Sequence, residues 1–274
     1  MNEVDWSRLK AHELRALAQQ NAVVILPIAS IEQHGPHLPV MTDTKLGYEV
    51  AVRAARLAYD TRPVVVTPVV WSGLSEHHMP YGGTLTLSHG TFRAVLADLI
   101  DSLVRHGFHD ILISNSHGGN IIAMQQICDE LSSQVDATLV AVTYPSEAAA
   151  EIGEILEDQP GLAHACEGET AMMMAVEPDL VDTSDLGSLA NDASEGPTFL
   201  RAGRSAYRWR PFVHMTGNGV AGDPARATAE KGERLFEVSA EALARLIRDP
   251  ATWAPAKDLR EGGTGGVPFR TDGA

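Results

Sequence analysis

Three segments of the chain bring histidine and carboxylate side chains together at short spacing. Ser30-Ile31-Glu32-Gln33-His34-Gly35-Pro36-His37 comes first, with Asp43 nine residues after His34; Ser75-Glu76-His77-His78 and Asn115-Ser116-His117-Gly118-Gly119-Asn120 come after it. Eight of the eleven histidines lie between His34 and His117, which makes that stretch the place to look for chemistry. In an extended segment, residues two apart face the same way, so Glu32 and His34 can address one point in space. Mixed imidazole and carboxylate donors suit Zn²⁺, Mn²⁺ or Fe²⁺, and one carboxylate can bridge two such ions. Asp43, short and expected on a separate loop, is the candidate bridge. His117, flanked by glycines that let the backbone come close, would complete the cage. Taken singly, each histidine could equally be a core or solvated residue; the recurrence at three places is what points to metal chemistry.

A fourth segment, His164-Ala165-Cys166-Glu167-Gly168-Glu169-Thr170, precedes the apolar helical run Ala171-Met172-Met173-Met174-Ala175-Val176. His164 and Glu169 are candidates for an acid–base pair, with Glu169 also a candidate ligand. Glu167 reads equally well as a first-turn residue whose charge offsets the positive end of a helix. The methionines read as core filler and Cys166 as a buried, inert thiol. Ser75, His78, Gly118 and Gly119 are expected to touch substrate.

The elements that must position these residues alternate regularly. Helical spacing of apolar residues covers 7–20, 49–58, 91–106 and 121–132, the third stopped by Gly107. Between them lie short apolar, β-branched runs at 23–28, 64–70, 110–115 and 138–143, with Pro68 interrupting the second. Strands apolar on both faces and alternating with helices predict a mainly parallel sheet covered on both sides, a three-layer α/β/α fold. In such sheets the ligand site lies at the carboxyl ends of the strands, which is where the histidine segments fall. One domain over 1–274 is the economical reading, with the glycine-rich stretch 257–274 a mobile tail or a segment lying on a neighbouring subunit.

Composition sets outer limits. The 274 residues are 44% hydrophobic, enough for a sizeable core, and two cysteines are too few for a disulfide scaffold. A formal net charge of −15 argues against nucleic acid and anionic membrane as partners, since both are held by Lys and Arg. The N-terminus lacks the layout of a secretory signal and no apolar run approaches bilayer length, so a cytoplasmic setting is expected. Neither a Gly-x-Gly-x-x-Gly nor a P-loop motif occurs, and the Gly-x-Ser-x-Gly elbow of serine hydrolases is absent.

The longer motifs carry a specific family resemblance. Leu26-Pro27-Ile28-Ala29-Ser30-Ile31-Glu32-Gln33-His34-Gly35-Pro36-His37-Leu38-Pro39, with Thr42-Asp43, resembles the opening motif of the creatininase (creatinine amidohydrolase) family. Asn115 to Asn120 resembles its second motif and His164 to Thr170 its third. The resemblance implies an α/β/α fold, a homohexamer, and hydrolysis of a C–N bond in a small cyclic or linear amide by a metal-activated hydroxide. It implies two divalent ions (Zn, Mn or Fe) held by Glu32, His34, Asp43 and His117, with Asp43 bridging. His164 matches the acid–base histidine, and Glu169 the third-motif glutamate, here taken as the fifth ligand. Departures bear on the substrate. Gly119 stands where creatinine-hydrolysing members have a metal-binding Glu, Pro160-Gly161 replaces their Trp-Asp lid, and Ala163 replaces a Glu. A deformylase, a mycofactocin-type peptidase, or a catalytically silent metal-binding relative are the alternatives that the same motifs allow.

Overall fold

The computed structural model pairs four short strands in parallel in the order β2-β1-β3-β4: β1 (Val23–Ile28), β2 (Val64–Val66), β3 (Asp110–Asn115) and β4 (Thr138–Thr143). It describes residues 2–157, 159–191, 206–255 and 259. The tail expected at 257–274 lies outside them apart from Leu259. Interior strands β1 and β3 are buried almost throughout, as their apolar sequences require. β4 departs from the expectation of two covered faces: only Val142 is buried, whereas β2, the other edge strand, is buried throughout. The expected strand at 64–70 is cut to three residues. Pro68 lacks an N–H for the ladder, so the chain leaves the sheet after Val66 and returns where Val70 N–H donates to Pro27 O (2.9 Å). The missing N–H of Pro27 faces that same gap, which lets a proline sit in a central strand.

Helices cover both faces. α1 (Ala11–Gln19), α3 (His89–Arg105) and α4 (Ile121–Ser132) pack on the side of Val24, Leu26, Ile111 and Ile113. α2 (Thr42–Ala58), α7 (Glu167–Val176) and α8 (Ala229–Arg248) pack on the side of Val23, Ile25, Val64 and Leu112, with the short α5 (Tyr144–Glu147) and α6 (Ala149–Gly153) leading towards α7. Met172 and Met173 fill this second core. Two differences from the sequence expectations matter for the site. Asp43 is not on a separate loop: α2 begins at Thr42, two turns before the expected helix, and Asp43 lies in its first turn. Thr42, Asp43, Thr44 and Gly47 are weak helix formers in an interior, but Thr and Asp are favoured at an N-terminus. α8 is an element that the sequence analysis does not predict, although Thr228 caps it by accepting from Lys231 N (3.2 Å) and its buried Leu235, Phe236, Ser239, Leu243 and Ile247 keep helical spacing.

α8 also fixes the start of α7. Lys231 pairs with the fully buried Glu167 and with Glu157 Oε1 (2.5 Å), while Glu157 N–H donates to Glu167 Oε2 (2.9 Å). Glu167 is thus an anchor for the helix that carries Glu169. Lys231→Met would remove the ammonium shared by Glu157 and the buried Glu167, and a loss of about 3 kcal/mol of stability is expected in chemical denaturation. A loss below about 1 kcal/mol would reduce the pair to the worth of a surface contact.

Candidate metal centre

The strand order puts the site where it is. β1 is succeeded by a crossover to β2 on one side and β3 joins on the other, so the loops leaving β1 and β3 diverge and open a crevice at their carboxyl ends. The β1 loop delivers Glu32 and His34, the β3 loop His117, and the segment after β2 His77 and His78. Two buried asparagines tie these loops together. Asn115 Oδ1 accepts from His117 N (3.1 Å) and its Nδ2 donates to His117 O (2.7 Å). Asn120 Oδ1 accepts from Leu74 N (2.9 Å) while its Nδ2 donates to Ala29 O (3.1 Å). Neither asparagine stands out by residue type alone; their positions on either side of His117-Gly118-Gly119 are the signal for this role.

Glu32, His34, Asp43, His117 and Glu169 are brought together. Asp43 divides its oxygens: Oδ1 lies 3.2 Å from His34 Nε2 and Oδ2 lies 3.1 Å from His117 Nδ1. Glu32 Oε1 is 3.2 Å from the same His117 atom, and Glu169 Oε2 is 3.7 Å from His34 Nε2. Three triads have their donor atoms within 4.8 Å of one another, Glu32–His34–His164, Glu32–Asp43–His117 and His34–Asp43–Glu169, and the last two share Asp43. The far nitrogens of both imidazoles are engaged elsewhere. His34 Nδ1 donates to Glu32 O (3.1 Å), and His117 Nε2 donates to Leu74 O (3.2 Å) with Ser75 Oγ at 3.1 Å. A backbone acceptor behind the ring fixes the tautomer and turns the other lone pair inward, as in histidines that ligate metals. Glu32 Oε2 and Asp43 Oδ2 are buried without a hydrogen bond. The donor set therefore fits a pair of divalent ions sharing Asp43: three carboxylates, two oriented imidazoles, and buried oxygens that lack a donor.

The electrostatics of the cluster come from crowding. Burial opposes charge on His34, yet Asp43 and then Glu169 and Glu32 lift it to about 10. His117 is raised as well, against burial, by Glu32 and Asp43. Glu32 is held well below the carboxylate range despite its burial, chiefly by His117. Burial pushes Glu169 up to about 7, with His34 pulling down and Asp43 pushing up. So many carboxylates in one buried place call for positive charge, which protonated imidazole or a cation can supply.

His164 belongs to the same cluster but behaves differently. Its Nε2 donates to Gln33 O (2.7 Å), leaving Nδ1 3.5 Å from Glu32 Oε1, and its ring lies 4.2 Å from that of His34. Burial, with His34 next, holds its pKa well below the usual value, so the ring stays neutral. Ala165 beside it adopts a left-handed φ of 55°, its N–H donating to Glu169 Oε2 (2.6 Å). Gln33 Nε2 donates to His78 Nδ1 (2.8 Å), which turns His78 Nε2–H towards Glu32 Oε1 (3.4 Å).

Of the residues expected to touch substrate, His78, Gly118 and Gly119 line a cavity of about 280 Å³ together with the cluster. Ser75 does not: it is fully buried behind His117, bonded to Ser30 Oγ (2.5 Å). Cavity residues with no sequence signal are Phe212, Leu162 and Ser146. His37 packs away from the cluster on Thr170 Oγ1 (2.9 Å). Cys166 is buried and its thiol is pushed up to about 12, burial being the main cause. A larger apolar cavity of about 510 Å³, lined by Trp6, Trp71, Leu99 and Leu103, contains none of these groups.

Gly119 has a steric reason to be glycine. A Cβ there would overlap Leu74 O and His117 Nε2 and come within 2.9 Å of His77 Cε1. Gly119→Ala is expected to cost about 1–3 kcal/mol of stability and to displace His117. Unchanged stability in thermal denaturation would contradict that packing.

This is an α/β/α chain with a carboxylate–imidazole cluster at the carboxyl edge of a parallel sheet. It belongs to the creatininase family, the creatinine amidohydrolases, whose model matches residues 7–247. Among its relatives, the mycofactocin precursor peptide peptidase of Mycobacterium ulcerans (strain Agy99) is 30% identical over 244 residues, covering 86% of this chain and 87% of that one. The creatinine amidohydrolase of Pseudomonas putida is 24% identical over 266 residues, 91% and 96% of the two chains. A solved mutant creatininase of Zn–Zn type shares the fold, with a TM-score of 0.73 at 23% identity, covering 93% of this chain and all of that one. No helix among the described residues is long and apolar enough to cross a membrane.

Proposed function

We propose that the chain is a metal-dependent amidohydrolase that cleaves a C–N amide bond of a small molecule, with Asp43 shared between two divalent ions. The observation that carries this reading is the division of Asp43: one oxygen faces His34 and the other His117, in two triads of donors. Glu32 and His117 would hold one ion and His34 and Glu169 the other, with Glu169 in the role that Gly119 cannot fill. Zinc and manganese both fit these nitrogen and oxygen donors, and the likeness to an Mn and to a Zn–Zn creatininase supports either. Ions bound there would supply Lewis-acid polarisation of a carbonyl and a nucleophile at neutral pH.

The chain's own residues would do the rest. Neutral His164, with Nε2–H fixed on Gln33 O, presents the Nδ1 lone pair to the cavity; it can take a proton from the attacking water and hand it to the departing nitrogen, without which C–N cleavage stalls. Phe212 lies over His78 and His164, with ring centroids 4.5 and 5.0 Å away, and excludes water from that side. A second reading, a peptidase, is favoured by the 30% identity to the mycofactocin precursor peptide peptidase. An amine-release screen with zinc- or manganese-loaded protein over lactams, formamides, primary amides and short peptides tests both. Release from the non-peptide amides supports the first reading and release from peptides alone the second. Metal bound with no release from any member would leave a silent metal-binding relative.

A further inference from the structure

The cavity has two kinds of wall. The carboxylates and imidazoles of the cluster line it together with Thr143 and Ser146, and Leu162, Ala163, Ile121 and Phe212 supply its apolar lining. That wall is built rather than incidental. Phe212 is buried, and its carbonyl accepts from Met215 N (2.8 Å) and Thr216 N (3.2 Å). Thr216 O is in turn held by the hydroxyl of Tyr81. Leu162 packs against the core beneath α7, where its Cδ2 occupies the space a Cβ on Gly168 would need. Both side chains are therefore fixed in place within the same cavity as His164 and Glu169.

We propose that this wall selects the substrate: the amide carries an apolar, uncharged substituent that seats against Leu162 and Phe212, and these two residues determine specificity. The inference rests on the amidohydrolase reading and narrows its substrate class. An anionic substituent would lose its hydration against the two apolar side chains without gaining a partner there, so it is discriminated against. An apolar one exchanges water for contact, and a few methylenes in such a pocket separate substrates by tenfold or more. The cavity volume of about 280 Å³ lies just below the usual range of ligand pockets and suits a short chain or a single ring.

Calorimetric affinities of hydroxamates for the zinc-loaded protein test this without requiring turnover. 3-Phenylpropanohydroxamic acid is expected to bind at least tenfold more tightly than the monohydroxamate of succinic acid. In Leu162→Gln and in Phe212→Ala that ratio should fall to about threefold or less; each variant checks the other should one fail to fold. Equal affinities, the reverse order, or no binding by either compound would overturn the proposal. Failure to hydrolyse any amide, with the order of affinities kept, would overturn the amidohydrolase reading and leave the apolar subsite standing.

Discussion

Asp43→Ala is expected to lose both ions and turnover together. No other side chain in the cluster belongs to both the Glu32–Asp43–His117 and the His34–Asp43–Glu169 triads: its Oδ1 serves the His34 side and its Oδ2 the His117 side. Removing it leaves two imidazoles and two glutamates that no longer share a donor. Bound metal should fall from two ions per chain to less than one after dialysis. The loss in kcat/KM should be at least about 10³, beyond the 10²–10³ that one lost electrostatic donor costs. Asp43 also lies in the first turn of α2, where a carboxylate offsets the helix dipole, but that contribution is about 0.3–1 kcal/mol and cannot account for such a loss. Elemental analysis and kinetics on one preparation separate the two effects. A variant that keeps two ions or full activity would sink the scheme.

The second large effect is expected at His164, and it should divide the other way. His164→Ala should keep its ions and its fold while kcat falls by about 10²–10⁴, the range for a lost acid–base group. Added imidazole should restore part of the rate. The geometry offers a sharp alternative, because Glu32, His34 and His164 also present donor atoms within 4.8 Å of one another. If His164 were a ligand, its removal would lower the metal content, and imidazole would restore metal along with rate. Metal analysis of His164→Ala decides between these roles, since both predict a slow enzyme and only one predicts an ion-poor one.

Much of the fold is legible in the sequence because its signals are local. The runs Val23–Ile28 and Ile111-Leu112-Ile113 are apolar at consecutive positions, short and β-branched, as a strand buried on both faces requires. Placing Glu32, His34 and His117 requires only that each come just after such a strand, since the loops leaving a parallel sheet gather at its carboxyl edge. The start of α2 is harder. Thr42-Asp43-Thr44 resembles a loop by propensity, and its helical state depends on tertiary packing, since no side chain caps the first turn. Ser75 looks like a pocket residue by sequence proximity to His77 and His78; its hydroxyl instead supports His117 from behind, a distinction of side-chain direction that spacing does not encode. Phe212 comes from 48 residues beyond His164, without periodicity or motif, and only the closed chain puts it beside His78. The long-range pair between Lys231 and Glu167 is of the same kind: two ordinary charged residues, one on a helix that the sequence analysis does not predict.

The most direct measurement is an anomalous-difference map of crystals of the zinc-loaded chain, with elemental analysis of the same sample. Two ions per chain are predicted, one on the Glu32–His117 side and one on the His34–Glu169 side, with an oxygen of Asp43 directed at each. A single ion, none, or two ions of which Asp43 contacts only one would contradict the shared carboxylate on which the account depends.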